Sequence, residues 1–393
     1  DNLAWSGLKA KYKEFPFELT GHLENFSRPV IDTALTATNV KARATIHLLN
    51  KTIRIPSFTA KYYHSDFDGS ADIYFIADQG PDIQINGQGA VYASDIPAFL
   101  PRFREHLAPY PLEGVLDSKF FFKGSPSAPL DWSISVDAKT PKLTVQNHPL
   151  QDVKINYLQR DKNISKFDLA ADLYGGKLKF DSAVNLEDQR IPFKLGLGVY
   201  GADLAQFIAL HRPEEKNELA GTFLLDLGLE GNLHQQNTWR GQGNYKIENG
   251  YIWNFKIIKL LNKILIQEFV RTVYTDSAAN FTIADRKIKT ENLQLKSDTI
   301  SLLAKGSVDF DQKIAFDVYP ALSEIAQIQS DEIFRKLTTV VISKTLNIVK
   351  LSGTLKEPKT KIVATDIPTN IIKGTTNIIK GVGETLIDTI MGQ

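Results

Sequence analysis

Gly196-Leu197-Gly198-Val199-Tyr200-Gly201 matches the G-x-G-x-x-G spacing that lets backbone amides approach a dinucleotide pyrophosphate. That chemistry needs a strand before the glycines, a helix after them and βαβ units around both. Here Phe193, Leu195, Leu197 and Val199 alternate with Lys194, Gly196, Gly198 and Tyr200, so the run reads as one strand. A short helix is predicted from Asp203, but no βαβ series surrounds it. The seven histidines, His22, His47, His64, His106, His148, His211 and His234, show no i, i+4 pair and no cluster. They are read as surface or turn residues and not as metal ligands. Asp66 and Asp68 near His64 lack further oxygen ligands at loop spacing, so a turn is predicted there. Tyr174-Gly175-Gly176-Lys177 reads as a tight hairpin turn, not a phosphate cradle. No P-loop and no G-x-S-x-G elbow occurs, and the absence of cysteine removes disulfides, thiolate metal sites and thiol nucleophiles. The expectation is a non-enzymatic protein with no metal and no cofactor.

The composition narrows the partners. Lys and Arg number 46 against 45 Asp and Glu, a net charge of +1. Phosphate backbones are bound by clustered positive charge, so no nucleic-acid partner is expected. Hydrophobic residues make up 42% of the 393 residues, enough for a sizeable core or groove. No apolar run approaches the length of about 18 residues that a membrane-spanning helix needs, so none is predicted in this sequence. The first residue is Asp1, and any anchoring or targeting segment is expected upstream of it.

The elements that must position any site are strands. Phe223, Leu225, Leu227 and Leu229 alternate with Leu224, Asp226, Gly228 and Glu230. Ile134 and Val136, and Phe316 and Val318, keep the same period of two, and Ile83 and Ile85 lead into a glycine-rich run. This is the pattern of half-buried antiparallel strands. Several runs approach ten residues, about 33 Å at 3.3 Å each. An internal repeat orders them. Gly114 and Gly221 stand at a spacing of 107, as do Gly124 and Gly231, and Trp132 and Trp239. Asp95-Ile-Pro-Ala-Phe99 matches Asp203-Leu-Ala-Gln-Phe207 at a spacing of 108. A chain built this way is predicted to be an array of units, approximately 1–106, 107–213 and 214–360.

Three stretches switch to helical spacing. One spans about 252–273, with Ile257, Ile258, Leu261, Ile264 and Leu265 on one face, and is expected to plug or cap the end of a groove. A second runs from about 323 to 346. The third is an amphipathic tail at 367–393, where Ile371, Ile372, Ile378, Ile379, Val382, Leu386 and Ile390 form one stripe. It is expected either to lie on a membrane interface or to cap the sheet.

The stretch from Gly241 to Pro320 carries a resemblance. It joins a glycine-flanked strand ending in Glu248-Asn249-Gly250-Tyr251-Ile252 to the apolar helix, then to Phe281-Thr-Ile-Ala284, Ala304-Lys-Gly-Ser-Val-Asp309 and Ile314-Ala-Phe-Asp-Val318. Leu351-Ser-Gly-Thr-Leu355 looks like a terminal strand of the same kind. Residues 219–360 resemble the C-terminal region of the AsmA-like family, which includes TamB- and YhdP-type bridge-like proteins. The repeat extends a weaker likeness over 1–218.

The resemblance implies a mainly β fold: an elongated, twisted antiparallel sheet folded into a hydrophobic groove, with a few short amphipathic helices. It implies an inner-membrane-anchored protein of the periplasm that moves phospholipid toward the outer membrane. Partners would be phospholipid, the inner or outer membrane surface and, on an alternative reading, outer-membrane proteins assembled on open strand edges. A third reading is an extracellular binding or adhesion solenoid that works through its polar face. Candidate groove residues are Phe120, Phe122, Ile134, Val136, Phe193, Leu195, Leu197, Val199, Phe223, Leu225, Leu227, Leu229, Phe316 and Val318. Whether such faces bind lipid or close on one another in a dry sandwich is left open by the pattern alone.

Overall fold

A computed structural model describes residues 2–12, 15–27, 29–49, 51–76, 80–99, 104–128, 131–160, 164–211, 219–252, 260–261, 273–298, 300–322 and 348–363. The predicted helix at 323–346 and the tail at 367–393 lie outside the described residues. Only Leu260 and Leu261 of the 252–273 stretch's helical part lie inside them, and both are helical. The protein is mainly β: among the described residues, 21 strands form one antiparallel sheet that is not closed into a barrel. The chain divides into two compact units. The first holds residues 1–198 and 230–234, the second 199–229 and 235–393.

In the first unit the strands are β1 (Asn2–Tyr12), β2 (Phe15–Glu24), β3 (Val30–Ala37), β4 (Val40–Leu49), β5 (Thr52–Tyr62) and β6 (Ser65–Ile76). They continue as β7 (Gly80–Tyr92), β8 (Leu112–Gly124), β9 (Ser133–Val145), β10 (His148–Arg160), β11 (Ile164–Leu173) and β12 (Gly176–Val184). Each pairs antiparallel with the next, an unbroken meander. Between β7 and β8 lie a 3₁₀ turn (Ala93–Asp95), α1 (Ile96–Phe99) and α2 (Arg104–Leu107). Short turns fix the register. Tyr174 and Gly175 both have positive φ, +51° and +77°, as the sequence predicts for a two-residue hairpin loop. Gln146 and Asn147 repeat this at the β9–β10 turn.

β13 (Pro192–Asp203) contains the whole glycine run 196–201 as strand. It leads into α3 (Leu204–His211), so the short helix predicted after Asp203 is present. The α3 N-terminus is already capped: Asp203 Oδ1 accepts from the Ala205 amide at 2.8 Å, leaving an acid where a phosphate would sit. The matching motif one repeat earlier also opens helices, the 3₁₀ turn and α1. Gly114 and Gly221 share φ values of +136° and +126°. The repeat therefore specifies backbone geometry as well as residue type.

The second unit continues with β14 (Leu219–Asn232), β15 (Gln235–Ile252), β16 (Tyr274–Ala284), β17 (Lys287–Ser297), β18 (Ile300–Asp309), β19 (Ile314–Leu322), β20 (Ile348–Gly353) and β21 (Pro358–Val363). From β15 to β21 each strand again pairs with its successor. Its core is closed. Tyr274, Leu302 and Val349 are fully buried, and Ile208 of α3 and Leu261 join them with Ala304, Ile314, Val318 and Leu351. Leu261 thus packs in the core of the second unit, while the rest of the helix expected to plug or cap a groove lies outside the described residues.

Among the described residues of the first unit, a buried apolar cluster lies along one margin. Ala93, Leu116, Leu143, Leu150, Val153 and Ala171 form it, with Val91, Ile96 and Leu178 alongside. Asp95 locks the helical turn in place there. Its carboxylate accepts from the His64 amide at 3.0 Å and the Ser65 hydroxyl at 2.7 Å, and pairs with His64 Nδ1 at 2.9 Å. Burial raises the Asp95 pKa, but these hydrogen bonds outweigh it, and the carboxyl sits below its ordinary value. A depressed carboxylate stabilises the fold above its unfolded value, and the gain is lost as pH falls through the folded one. Asp95→Ala is expected to cost about 1–3 kcal/mol at neutral pH. The gap in urea midpoint from the parent should shrink as the solution is acidified below the carboxylate range.

Candidate functional site

Strand register in the first unit assembles one apolar face. One ladder runs Leu19, Leu35, Ala42, Ala60, Phe67, Gly89, Ser118, Ala138, Ile155, Leu169, Phe180, each residue opposite the next across β2 to β12. A second, two residues along each strand, runs Gly21, Thr33, Ala44, Phe58, Gly69, Gly87, Phe120, Val136, Tyr157, Phe167, Ser182. Beside it lie Ile85, Phe122 and Ile134. No Asp, Glu, Lys, Arg or His stands in either ladder. At about 4.8 Å between strands, eleven strands make each ladder roughly 48 Å long.

The opposite parity carries the charges, with Phe121 and Leu158 on a further row. Lys41, Lys61, Asp66, Asp117 and Lys139 occupy one outer row, and Arg43, Asp68, Lys119 and Asp137 another. Lys61 pairs with Asp66 at 3.4 Å, and Lys139 with Asp117 at 3.6 Å. Asp66 and Asp68, weighed above as cation ligands, are therefore rungs of a solvated polar surface. Among the described residues no three His, Asp or Glu stand together in a metal-binding group.

The apolar face is not sealed. Phe58, Phe67, Phe120, Phe122, Phe167 and Phe180 all remain half-buried. Their rings meet edge-on or tilted, with centroids 5.9 Å apart for Phe67 and Phe120, 5.3 Å for Phe120 and Phe122, and 6.0 Å for Phe167 and Phe180. The 93–99 turn reaches over one margin, where Phe99 touches Phe67 at 5.9 Å and Tyr62 at 5.2 Å. Polar groups on the face find partners within the sheet: the Tyr157 hydroxyl donates to Gln159 Oε1 at 2.9 Å on the same parity. Ser118 donates to the Gly89 carbonyl at 2.9 Å and Thr33 to the Thr20 carbonyl at 3.0 Å. Burial raises the pKa of Tyr157, which keeps its phenol neutral.

The fourteen residues predicted to line a groove divide by position. Phe120, Phe122, Ile134 and Val136 are brought together: Phe120 faces Val136, and Phe122 faces Ile134, across β8 and β9. Phe193 is buried and Leu195 and Leu197 half-buried on β13 in the first unit. In the second unit Val199 is buried, while Phe223, Leu225, Leu227 and Leu229 are half-buried, as are their neighbours Leu224 and Asp226. Val318 lies in the closed core and Phe316 packs against it. The tail residues 371, 372, 378, 379, 382, 386 and 390 lie outside the described residues.

Sequence reasoning missed Phe58, Phe67, Tyr157, Phe167 and Phe180 as lining residues. Their signal was present as the same alternation, in Phe58-Thr-Ala60, Phe67-Asp-Gly69-Ser-Ala71 and Phe167-Asp-Leu169-Ala-Ala171. Among the described residues no helix is long and apolar enough to cross a membrane. No family model and no curated protein matches this chain.

Proposed function

We propose that the open apolar face of the first unit holds phospholipid acyl chains, and that the protein moves phospholipid along its ladders without catalysing a reaction. The observation that carries this is the row of phenylalanines left half-buried on an uncharged face, opposite a charged one. Each methylene removed from water contributes about 0.8 kcal/mol, so a two-chain lipid with about 30 methylenes would face roughly 24 kcal/mol without such a lining. A surface uniform along its ladders offers equal contact at each step, which suits movement better than tight capture. Passage through the periplasm between inner and outer membrane belongs to the same proposal and rests on the family resemblance alone.

Assembly of other β proteins on open strand edges is less well supported. The β1 edge is interrupted by a bulge between Trp5 and Leu8 and carries exposed Lys9. β21 begins with Pro358 and exposes Lys359 and Lys361. These are devices that discourage edge pairing.

The purified chain should release phospholipid into an organic extract, seen by mass spectrometry. Photocrosslinking residues at Phe122 and Val136 should give lipid adducts, and those at Lys123 and Asp137 should not. A lipid-free preparation that also refuses fluorescent phospholipid, or equal labelling at both pairs, would sink the reading. This contrast is sharper than one on β14, where both parities are half-buried.

A further inference from the structure

On the charged face, two neighbouring hollows open between the outer rows of β2 to β7. The first, of about 480 Å³, lies between the row that holds Ala34, Arg43 and Thr59 and the row that holds Asp32 and Thr45. The second, of about 650 Å³, lies between the Arg43 row and the row of Thr36, Lys41, Lys61 and Asp66. Arg43 lines both, and the short side chains of Ala34 and Thr59 flank it in its own row. Three cations border the second hollow: Lys41, Arg43 and Lys61. Lys41 stands directly across from Lys61 in the β4–β5 register, and Arg43 lies two residues from Lys41 on the same parity of β4. Like charges directly opposite one another in a sheet cost stability. Lys61 is drawn toward Asp66 on the next strand, at 3.4 Å. Among the described residues, Lys41 and Arg43 have no ion-pair or hydrogen-bond partner.

We infer that Lys41, Arg43 and Lys61 hold the phosphate group of a phosphorylated ligand in the second hollow. The Arg43 guanidinium is a planar fork that matches two phosphate oxygens, and Lys41 and Lys61 supply point charges beside it. Thr36 and Thr59 line the same hollow and offer hydroxyl donors. An oxyanion seated there turns the Lys41–Lys61 opposition from a cost into a shared attraction. Two carboxylates also line this hollow, Asp66 and Asp68. Both stand on β6, two strands from β4 and so about 10 Å away, which is about one Debye length at 0.1 M salt. Asp66 is engaged by Lys61, and Asp68 accepts from Gln88 Nε2 at 3.3 Å. The field beside β4 therefore favours an anion. In the first hollow Arg43 is the one Lys or Arg among the described lining residues, and Asp32 is tied to the Thr45 hydroxyl at 2.6 Å, so the second is the stronger anion site. A soluble phosphate ester and a phosphomonoester lipid headgroup share this chemistry. The site lies on the face opposite the apolar ladders, so it goes beyond the acyl-chain reading and does not rest on it.

The test is calorimetric titration of the full chain with inorganic phosphate and with glycerol phosphate, in phosphate-free buffer at about 0.1 M salt. Both should bind saturably. Arg43→Gln and Lys41→Gln should each weaken binding roughly fivefold or more, as loss of a charge-assisted hydrogen bond implies. Lys119→Gln, on the same face but outside both hollows, should bind like the parent. Stability supplies a second readout. Without phosphate, Lys41→Gln should keep or raise the urea midpoint, because it removes one of two opposed charges. Saturating phosphate should raise the midpoint of the parent more than that of this variant. Flotation with phosphatidylcholine vesicles that contain phosphatidic acid supplies the headgroup arm. Flotation that Arg43→Gln abolishes assigns the phosphate to a lipid, and saturable calorimetric binding without flotation assigns it to a soluble ester. Absence of binding in every arm, parent-like binding by Arg43→Gln, or equal weakening by Lys119→Gln overturns the inference. None of these outcomes alters the phospholipid expected in an organic extract, so the acyl-chain reading is judged separately.

Discussion

Val136→Lys should empty the apolar face of phospholipid. Val136 stands between Phe120 and Tyr157 in the middle of the second ladder. An ammonium group in contact with hydrocarbon costs about 2–4 kcal/mol when it cannot reach water. At about 1.4 kcal/mol per factor of ten, phospholipid retained per chain should fall by roughly 30-fold or more. Some of the cost will be relieved by the flexible lysine stem reaching for the rim, so the lower end of the range is the expected result. The neighbouring Asp137→Lys makes the same side chain on the outward parity and should retain phospholipid like the parent. Quantitative mass spectrometry of extracts from the two variants separates the outcomes. Full retention by Val136→Lys would mean that lipid, if bound, is bound elsewhere.

Most of the strand content was legible, because the alternation of Phe193 to Val199 or Ile134 to Val136 has only one regular solution in a half-buried sheet. The repeat was legible too: Gly114 and Gly221, one repeat apart, keep similar positive φ values, which few other residue types adopt without strain. Alternation did not say whether an apolar face is covered. Val318 and Val136 read alike in sequence, yet the first is sealed in a core with Tyr274 and Leu302 while the second is half-buried. Coverage depends on contacts far apart in the chain, such as Ile208 and Leu261 reaching the β16–β20 sheet. The Asp95 lock was illegible for the same reason, since its partners lie 30 and 31 residues away.

The glycines of Ile85-Asn-Gly87-Gln-Gly89 explain how the face stays shallow and continuous. A Cβ at Gly87 would lie 2.4 Å from the Phe120 ring, and one at Gly89 would lie 2.7 Å from the Phe67 ring. Each ring therefore lies across a neighbouring strand's bare backbone. Aromatic area is gained for apolar contact without a side-chain layer thick enough to close the face. Sequence reading placed these glycines within an alternating strand, and only the cross-strand register shows what they accommodate.

Closed and open faces should differ most clearly in their response to truncation. Leu302 is fully buried in the second unit, and Leu302→Ala should cost about 2–5 kcal/mol through lost transfer energy and the cavity left behind. Phe120→Ala removes a larger side chain, but from a face already reached by water, so no sealed cavity forms. Its cost should stay below about 2 kcal/mol, well under the roughly 3–5 kcal/mol typical of a buried phenylalanine. Saturating phospholipid should raise the parent's urea midpoint by mass action and raise that of Phe120→Ala less, because part of the binding surface is gone. Leu302→Ala should gain as much from lipid as the parent does, since its defect lies outside the ladders. Were Phe120→Ala to prove as costly as Leu302→Ala, and indifferent to lipid, the first unit would have to be a sealed core and its row of phenylalanines ordinary packing.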